Sequence, residues 1–144
     1  MSSFEVSRNS PLSPEQAWAR LTDWQRHARY VPLTTMSVVK SSPDGVGTVF
    51  VARTGVGRFG FDDPMEIVEW QPPSAGAGGR CRIEKRGRVM LGWAELRVEP
   101  HDGGSRATWR EDATPARLPA FARPASVASG RLLFGRVLRK LLDD

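Results

Sequence analysis

Between residues 34 and 112 the chain repeats one pattern, a short β-type run followed by a cluster of Gly, Pro, Asp or Ser. The runs are residues 35–40, 47–54, 58–70, 80–85, 89–99 and 106–112, the third interrupted near Asp63-Pro64. Ser42-Pro43-Asp44-Gly45, Gly55-Val56-Gly57, Arg86-Gly87 and His101-Asp102-Gly103-Gly104 are turns of hairpin length, and residues 71–79 form a longer Pro/Gly/Ala loop. Strands spaced this closely predict an antiparallel sheet, because parallel neighbours need much longer crossovers. From about residue 125 to 142 the period becomes helical: Val127, Gly130, Leu133, Phe134, Val137, Leu138 and Leu141 share one arc, opposite Arg131, Arg136, Arg139 and Lys140. A sheet of this size must bury one face, and this tail helix is the element long enough to cover it.

The start of the chain completes the layout. Residues 3–8 alternate Phe4 and Val6 with polar neighbours, as a half-buried strand does. Ser13-Pro14-Glu15-Gln16 then reads as a capped helix start, with Pro at the first helical position and Gln16 at the capping-box position. That helix runs to about Thr22 with Ala17, Trp18 and Leu21 on one face, and a second short one, residues 24–30, is stopped by Pro32. With 144 residues, no internal repeat and no linker, residues 1–144 make one α+β domain.

Several local motifs fall in a telling order. Ser13-Pro14-Glu15-Gln16-Ala17-Trp18 precedes Leu21-Thr22-Asp23 and Tyr30-Val31-Pro32; Ile67-Val68-Glu69-Trp70-Gln71-Pro72-Pro73 and Gly104-Ser105-Arg106-Ala107-Thr108-Trp109 follow. On these residues the whole chain resembles the SRPBCC (START-like, helix-grip) superfamily, and within it the bacterial polyketide cyclase/dehydrase-like branch. The resemblance implies a helix-grip fold: a curved antiparallel sheet of about seven strands wrapped around a long C-terminal helix, with two short helices after the first strand. It also implies polyketide-like or lipid-like ligands in a cavity between sheet and helix. Activity does not follow from it, since this fold serves carriers, cyclases, hydrolases and regulatory modules alike.

The net charge of +5 tempts a nucleic-acid reading until it is located. Residues 1–72 carry 7 basic and 8 acidic groups, residues 73–144 carry 14 and 8. Much of the excess therefore lies on the solvent side of the tail helix and along the later strands beside acidic residues. No aromatics interleave with the tail's basic groups as single-strand binders require. No nucleic-acid partner and no membrane span are expected, and the chain is read as a monomer or homodimer. The single cysteine, Cys81, forbids an internal disulfide, and residues 1–5 lack the order of a signal peptide; both point to the cytoplasm.

Conventional catalytic signatures fail on their physical requirements. Gly55-Val56-Gly57-Arg58-Phe59-Gly60 matches GxGxxG, but Phe61-Asp62-Asp63-Pro64 cannot start the helix whose N-terminus a pyrophosphate needs, so it reads as a hairpin turn. His27, His101 and Cys81 lack metal-ligand spacing: His101 reads as a turn residue, His27 as part of a short polar helix and Cys81 as a small core residue. No metal and no cofactor are expected.

Strand parity gives the candidate site. Met90, Gly92, Ala94, Leu96 and Val98 share a face, and the small residues at 92 and 94 would leave space beneath a helix. Ala107, Trp109 and Glu111 share a face, as do Cys81, Ile83 and Lys85, and Val49, Val51 and Arg53. The expected polar groups facing an apolar cavity are Arg53, Asp63, Lys85 and Glu111, with Val51, Ile83, Met90, Ala94, Trp109 and Phe134 as apolar ligand-binding walls. Arg53 and Glu111 are the candidate catalytic residues. Trp18, Trp24 and Trp70 are expected to be packing aromatics. Three functions stay open on the sequence: a cyclase or dehydratase, a noncatalytic carrier or sensor with the same cavity, and a basic-helix module for nucleic acid or an acidic partner.

Overall fold

A computed structural model describes residues 3–42, 45–56, 58–117 and 120–143. Pro43, Asp44 and Gly57 of two expected turns lie outside the described residues, as does Pro119. The strands are β1 (Ser3–Ser10), β2 (Thr34–Lys40), β3 (Val49–Val56), β4 (Phe59–Gln71), β5 (Gly79–Lys85), β6 (Met90–His101) and β7 (Gly104–Pro115). All neighbours are antiparallel, in the order β1-β7-β6-β5-β4-β3-β2, so the first strand pairs with the last while β2 to β7 form a meander. This curved seven-stranded sheet with its covering helix is the helix-grip architecture.

Helices α1 (Pro14–Leu21) and α2 (Trp24–His27) carry the chain from β1 at one edge to β2 at the other. The expected capping box is present: Gln16 N donates to Ser13 Oγ at 3.1 Å, and Ser13 N donates to Gln16 Oε1 at 3.0 Å. The second helix is shorter than its expected span, giving way to a single 3-10 turn over Ala28–Tyr30.

The expected break at Asp63-Pro64 does not occur. β4 stays paired with β3 through Val51↔Pro64 and Ala52↔Asp63. Pro64 is tolerated because its nitrogen lies on the side of its carbonyl, which accepts from Arg86 N just past the end of β5, so no ladder bond to β3 is lost. The irregularity comes later, between Ile67 and Glu69, and the added residue places Trp70 opposite Cys81 on the inner face. The GxGxxG segment is a hairpin, with Gly55 opposite Gly60 and Val56 opposite Phe59.

Helix α3 (Arg123–Asp143) lies on the concave face and runs in the direction of β1. Gly130 meets the Phe4 ring so closely that a Cβ there would lie 2.6 Å from it, and at the far end Asp143 pairs with Arg8 at 2.7 Å. Val137, Leu138, Leu141 and Leu142 are buried, while Arg131, Arg136 and Arg139 face solvent, as the periodicity predicts. The C-terminal half of α3 joins Trp18, Leu21, Cys81, Leu96, Val98 and Ala107 in a filled core, each fully buried leucine contributing about 1.5–3 kcal/mol. At the opposite end β1 and β2 begin, the β3–β4 and β5–β6 hairpins turn, and β7 ends. There the layers separate.

Candidate functional site

The separation leaves a cavity of about 190 Å³ between the sheet, α2 and the middle of α3. Its walls are overwhelmingly apolar. Thr34, Thr54, Phe61, Met90 and Leu133 around it are half-buried, whereas Phe50, Ile83, Ala94 and Trp109 are buried, so it opens at the hairpin end and is closed by the core at the other.

Eight of the residues singled out by parity border this cavity: Asp63, Ile83, Lys85, Met90, Ala94, Trp109, Glu111 and Phe134. The registers Ile83↔Ala94 and Ala94↔Glu111 carry the inner face across β5, β6 and β7. Val51 and Arg53 are not among them, and their expected placement is corrected. Phe50, Ala52 and Thr54 take the inner face of β3, with Phe50 2% exposed and stacked on Trp24 at 4.7 Å. Val49 and Val51 make one parity as apolar as Phe50 and Ala52 make the other; the larger ring is the one buried. Arg53 points away from the cavity to Asp62, at 3.1 Å, with 46% of its side chain exposed. Gly92 also serves a different purpose from the one its size suggested. It has φ 132°, and a Cβ there would come within 1.5 Å of the Asp112 carbonyl oxygen, so glycine is needed for the close approach of β6 and β7.

Inner-face positions on β4, β5 and β7 place the polar groups near one another. Lys85 Nζ donates to Asp63 Oδ2 at 2.6 Å, with side chains only 6% and 11% exposed. Asp63 Oδ1 is buried without a hydrogen-bond partner, a costly state. Glu111, 5% exposed, accepts from Trp109 Nε1 at 3.2 Å. Burial pushes the Glu111 carboxyl above its usual range; Asp63 and Asp112 add to the rise, while the Lys85 charge and the Trp109 hydrogen bond oppose it. The site thus sets an ammonium–carboxylate pair beside a carboxyl group biased towards its neutral form.

The wall beside this cluster is aromatic. Phe134 stacks on Trp109 with ring centroids 5.2 Å apart, His27 lies 5.6 Å from Trp109, and Trp24 lies 5.5 Å from His27. His27 is 5% exposed, not the surface residue its short helix suggested, and its Nε2 donates to the Leu21 carbonyl at 2.6 Å. Burial lowers its pKa, outweighing that hydrogen bond and the charge of Asp23, and so favours the neutral ring. The available signal was position: His27 stands three residues after Trp24, on the same face of one turn. Trp24 also borders the cavity, whereas Trp18 and Trp70 pack edge-to-face on each other at 5.1 Å.

Other chemistries find no support in the geometry. Cys81 is buried in the core, and its thiol is pushed up to about 12 by burial and by Glu69, which leaves it protonated. Among the described residues no three His, Cys, Asp or Glu side chains converge to hold a metal ion, and no helix is long and apolar enough to cross a membrane.

A search of the curated proteins finds no significant sequence match. Solved structures do match at the level of fold. TTHA0849 from Thermus thermophilus superposes with a TM-score of 0.71 at 16% identity, over 97% of this chain and 93% of that one. The Zhui aromatase/cyclase from a Streptomyces species gives 0.66 at 13% identity, over 96% and 92%. The hypothetical protein jhp0584 from Helicobacter pylori gives 0.69 at 19% identity, over 98% and 84%. At such identities the likeness establishes the helix-grip fold alone. The family model described as polyketide cyclase / dehydrase and lipid transport matches residues 1–144. The chain therefore belongs to the polyketide cyclase/dehydrase and lipid transport family.

Proposed function

We propose that this protein binds a hydrophobic small molecule of one or two rings, or the corresponding portion of a longer apolar molecule, between the sheet and α3. The observation that carries this reading is the cavity itself: about 190 Å³ with apolar walls and a small polar cluster at one side. Apolar walls with few convergent polar groups are the general form of small-molecule sites. The volume is of the order that accepts benzene (~150 Å³) and below the ~300 Å³ where drug-sized sites begin, so a fused polycyclic ligand needs the mouth to widen. Asp63, Ile83, Lys85, Met90, Ala94, Trp109, Glu111 and Phe134 are the proposed ligand contacts. Native mass spectrometry of freshly purified protein, together with quenching of Trp24 and Trp109 fluorescence by 1-naphthol, tests the reading. A copurified apolar molecule or saturable quenching supports it; the absence of both refutes it.

A second reading, catalytic turnover, is favoured by Glu111. A carboxyl group whose burial biases it towards the protonated form can, inside an apolar cavity, protonate a ligand carbonyl or a departing hydroxyl. Glu111→Gln keeps the shape and removes the proton. If the natural ligand is converted by the wild type and only bound by the variant, the protein is a cyclase- or dehydratase-type enzyme. If the wild type returns its ligand unchanged, it is a carrier or sensor.

A further inference from the structure

The hairpin end that carries the cavity mouth also gathers side chains unusual for a surface exposed to water. Leu33 (66% exposed) precedes β2; Val56 (63%) and Phe59 (74%) flank the β3–β4 turn. Leu91 (48%) follows the β5–β6 turn, Phe121 (87%) stands just before α3, and Leu132 (78%) lies in its third turn. Singly exposed apolar residues are ordinary, but a concentration of them around one opening marks an interaction surface.

The same rim is basic. Arg29, Arg58, Arg88, Arg117 and Arg131 are exposed there, and none has an ion-pair partner among the described residues. Of the carboxylates described at this end, Asp62 is paired with Arg53, and Glu66 and Glu84 with Arg86. Arg58 lies over the Phe59 ring at 5.3 Å, so at one tip the apolar and cationic groups form a single unit.

We propose that this rim docks on an anionic lipid bilayer, the apolar tips entering the headgroup region while the arginines meet lipid phosphates. The charge complementarity selects an anionic partner, and the layout selects a bilayer among such partners. The apolar side chains stand on separate tips around the mouth, without the continuous strip that receives a partner helix. A fluid, planar surface can meet all the tips at once. Docked in this way, the mouth faces the hydrocarbon boundary, and an apolar ligand passes into the cavity without crossing water. That last consequence rests on the ligand-binding reading; the docking does not.

Flotation with vesicles of phosphatidylcholine, or of phosphatidylcholine and phosphatidylglycerol in equal parts, tests the docking. The protein is expected to bind the anionic vesicles, to release them as salt is raised, and to bind neutral vesicles about tenfold or more weakly. Phe59→Ser with Phe121→Ser leaves the charge unchanged and should weaken anionic binding about tenfold or more. Arg58→Ser with Arg131→Ser should weaken it separately. Both pairs should keep the unfolding temperature and the 1-naphthol quenching of the wild type, so failure of docking is told apart from failure of the cavity. Absent vesicle binding, equal binding to neutral vesicles, or binding untouched by the phenylalanine changes overturns the proposal. So does self-association abolished by those changes, or tighter binding to polyglutamate than to the anionic vesicles.

Discussion

The indole nitrogen of Trp109 donates to Glu111 Oε1 at 3.2 Å, two residues further along the same face of β7. The period of a strand brings the pair together on the cavity wall. The Phe134 ring covers the indole, and the Lys85–Asp63 pair lies near enough to act on the carboxyl group electrostatically. Glu111 is thus held in place by one hydrogen bond while its surroundings resist its charge.

That resistance is measurable as a pH dependence. The unfolded chain loses the Glu111 proton as the pH passes about 4.5, whereas the folded chain retains it to higher pH because its carboxyl is raised. The folded state's advantage is therefore full below 4.5 and declines as the pH climbs through the folded value. Glu111→Gln keeps Lys85, Asp63 and Asp112 but has no proton to lose. In denaturant titrations from about pH 4 to about pH 8, the variant should gain on the wild type as the pH rises. A constant difference would show that Glu111 titrates normally.

The Lys85–Asp63 pair should behave as a buried ion pair. Lys85→Met alone strands the Asp63 carboxylate and should cost about 3–5 kcal/mol. The double change Lys85→Met with Asp63→Leu removes both charges and should recover most of that loss. Unfolding free energies of the wild type, the single variants and the double variant supply the coupling. Additive losses would contradict the pairing at 2.6 Å.

Ala94 separates the cavity from the fold. Ala94→Leu projects into empty volume, so stability should change by less than about 1.5 kcal/mol. Quenching of tryptophan fluorescence by 1-naphthol should weaken about tenfold or more as the space is filled. Retained quenching would place the bound probe elsewhere.

Gly92 should tolerate no side chain. Gly92→Ala places a Cβ against the Asp112 carbonyl at a positive φ and should cost about 3 kcal/mol, read as a lowered denaturation midpoint. Gly103, also at positive φ but with no heavy atom near an added Cβ, is the control and should cost less when changed to Ala.

What could be read from the residues depended on whether the two parities of a strand differ chemically. In β5, Cys81 and Ile83 oppose Arg80, Arg82 and Glu84, so the inner face is plain and Lys85 follows it into the cavity. The same contrast fixes β6 and β7, and with them Ala94, Trp109 and Glu111. In β3 both parities are apolar; the choice falls to the fit of Phe50 against Trp24, a contact between segments 26 residues apart that no local pattern contains. His27 was hidden for a related reason. A four-residue helix shows its face only through the single pair Trp24 and His27, too little to stand out beside Gln25 and Arg26, and the packing between Trp24 and Trp109 is what fixes the ring inward.

The pairing of β1 with β7 bears on how the molecule comes into being. Phe4 sits opposite Glu111 and Val6 opposite Trp109, so the first strand acquires its partner only after more than a hundred further residues have been made. Contacts of such sequence separation slow folding, because the intervening chain must be ordered before they form. During synthesis β1 waits unpaired while the β2–β7 meander assembles. Phe134, which stacks on Trp109 from α3, arrives later still. A nascent chain can thus build nearly the whole sheet by local hairpins, yet the chamber beneath α3 exists only once β1 and α3 have both met β7.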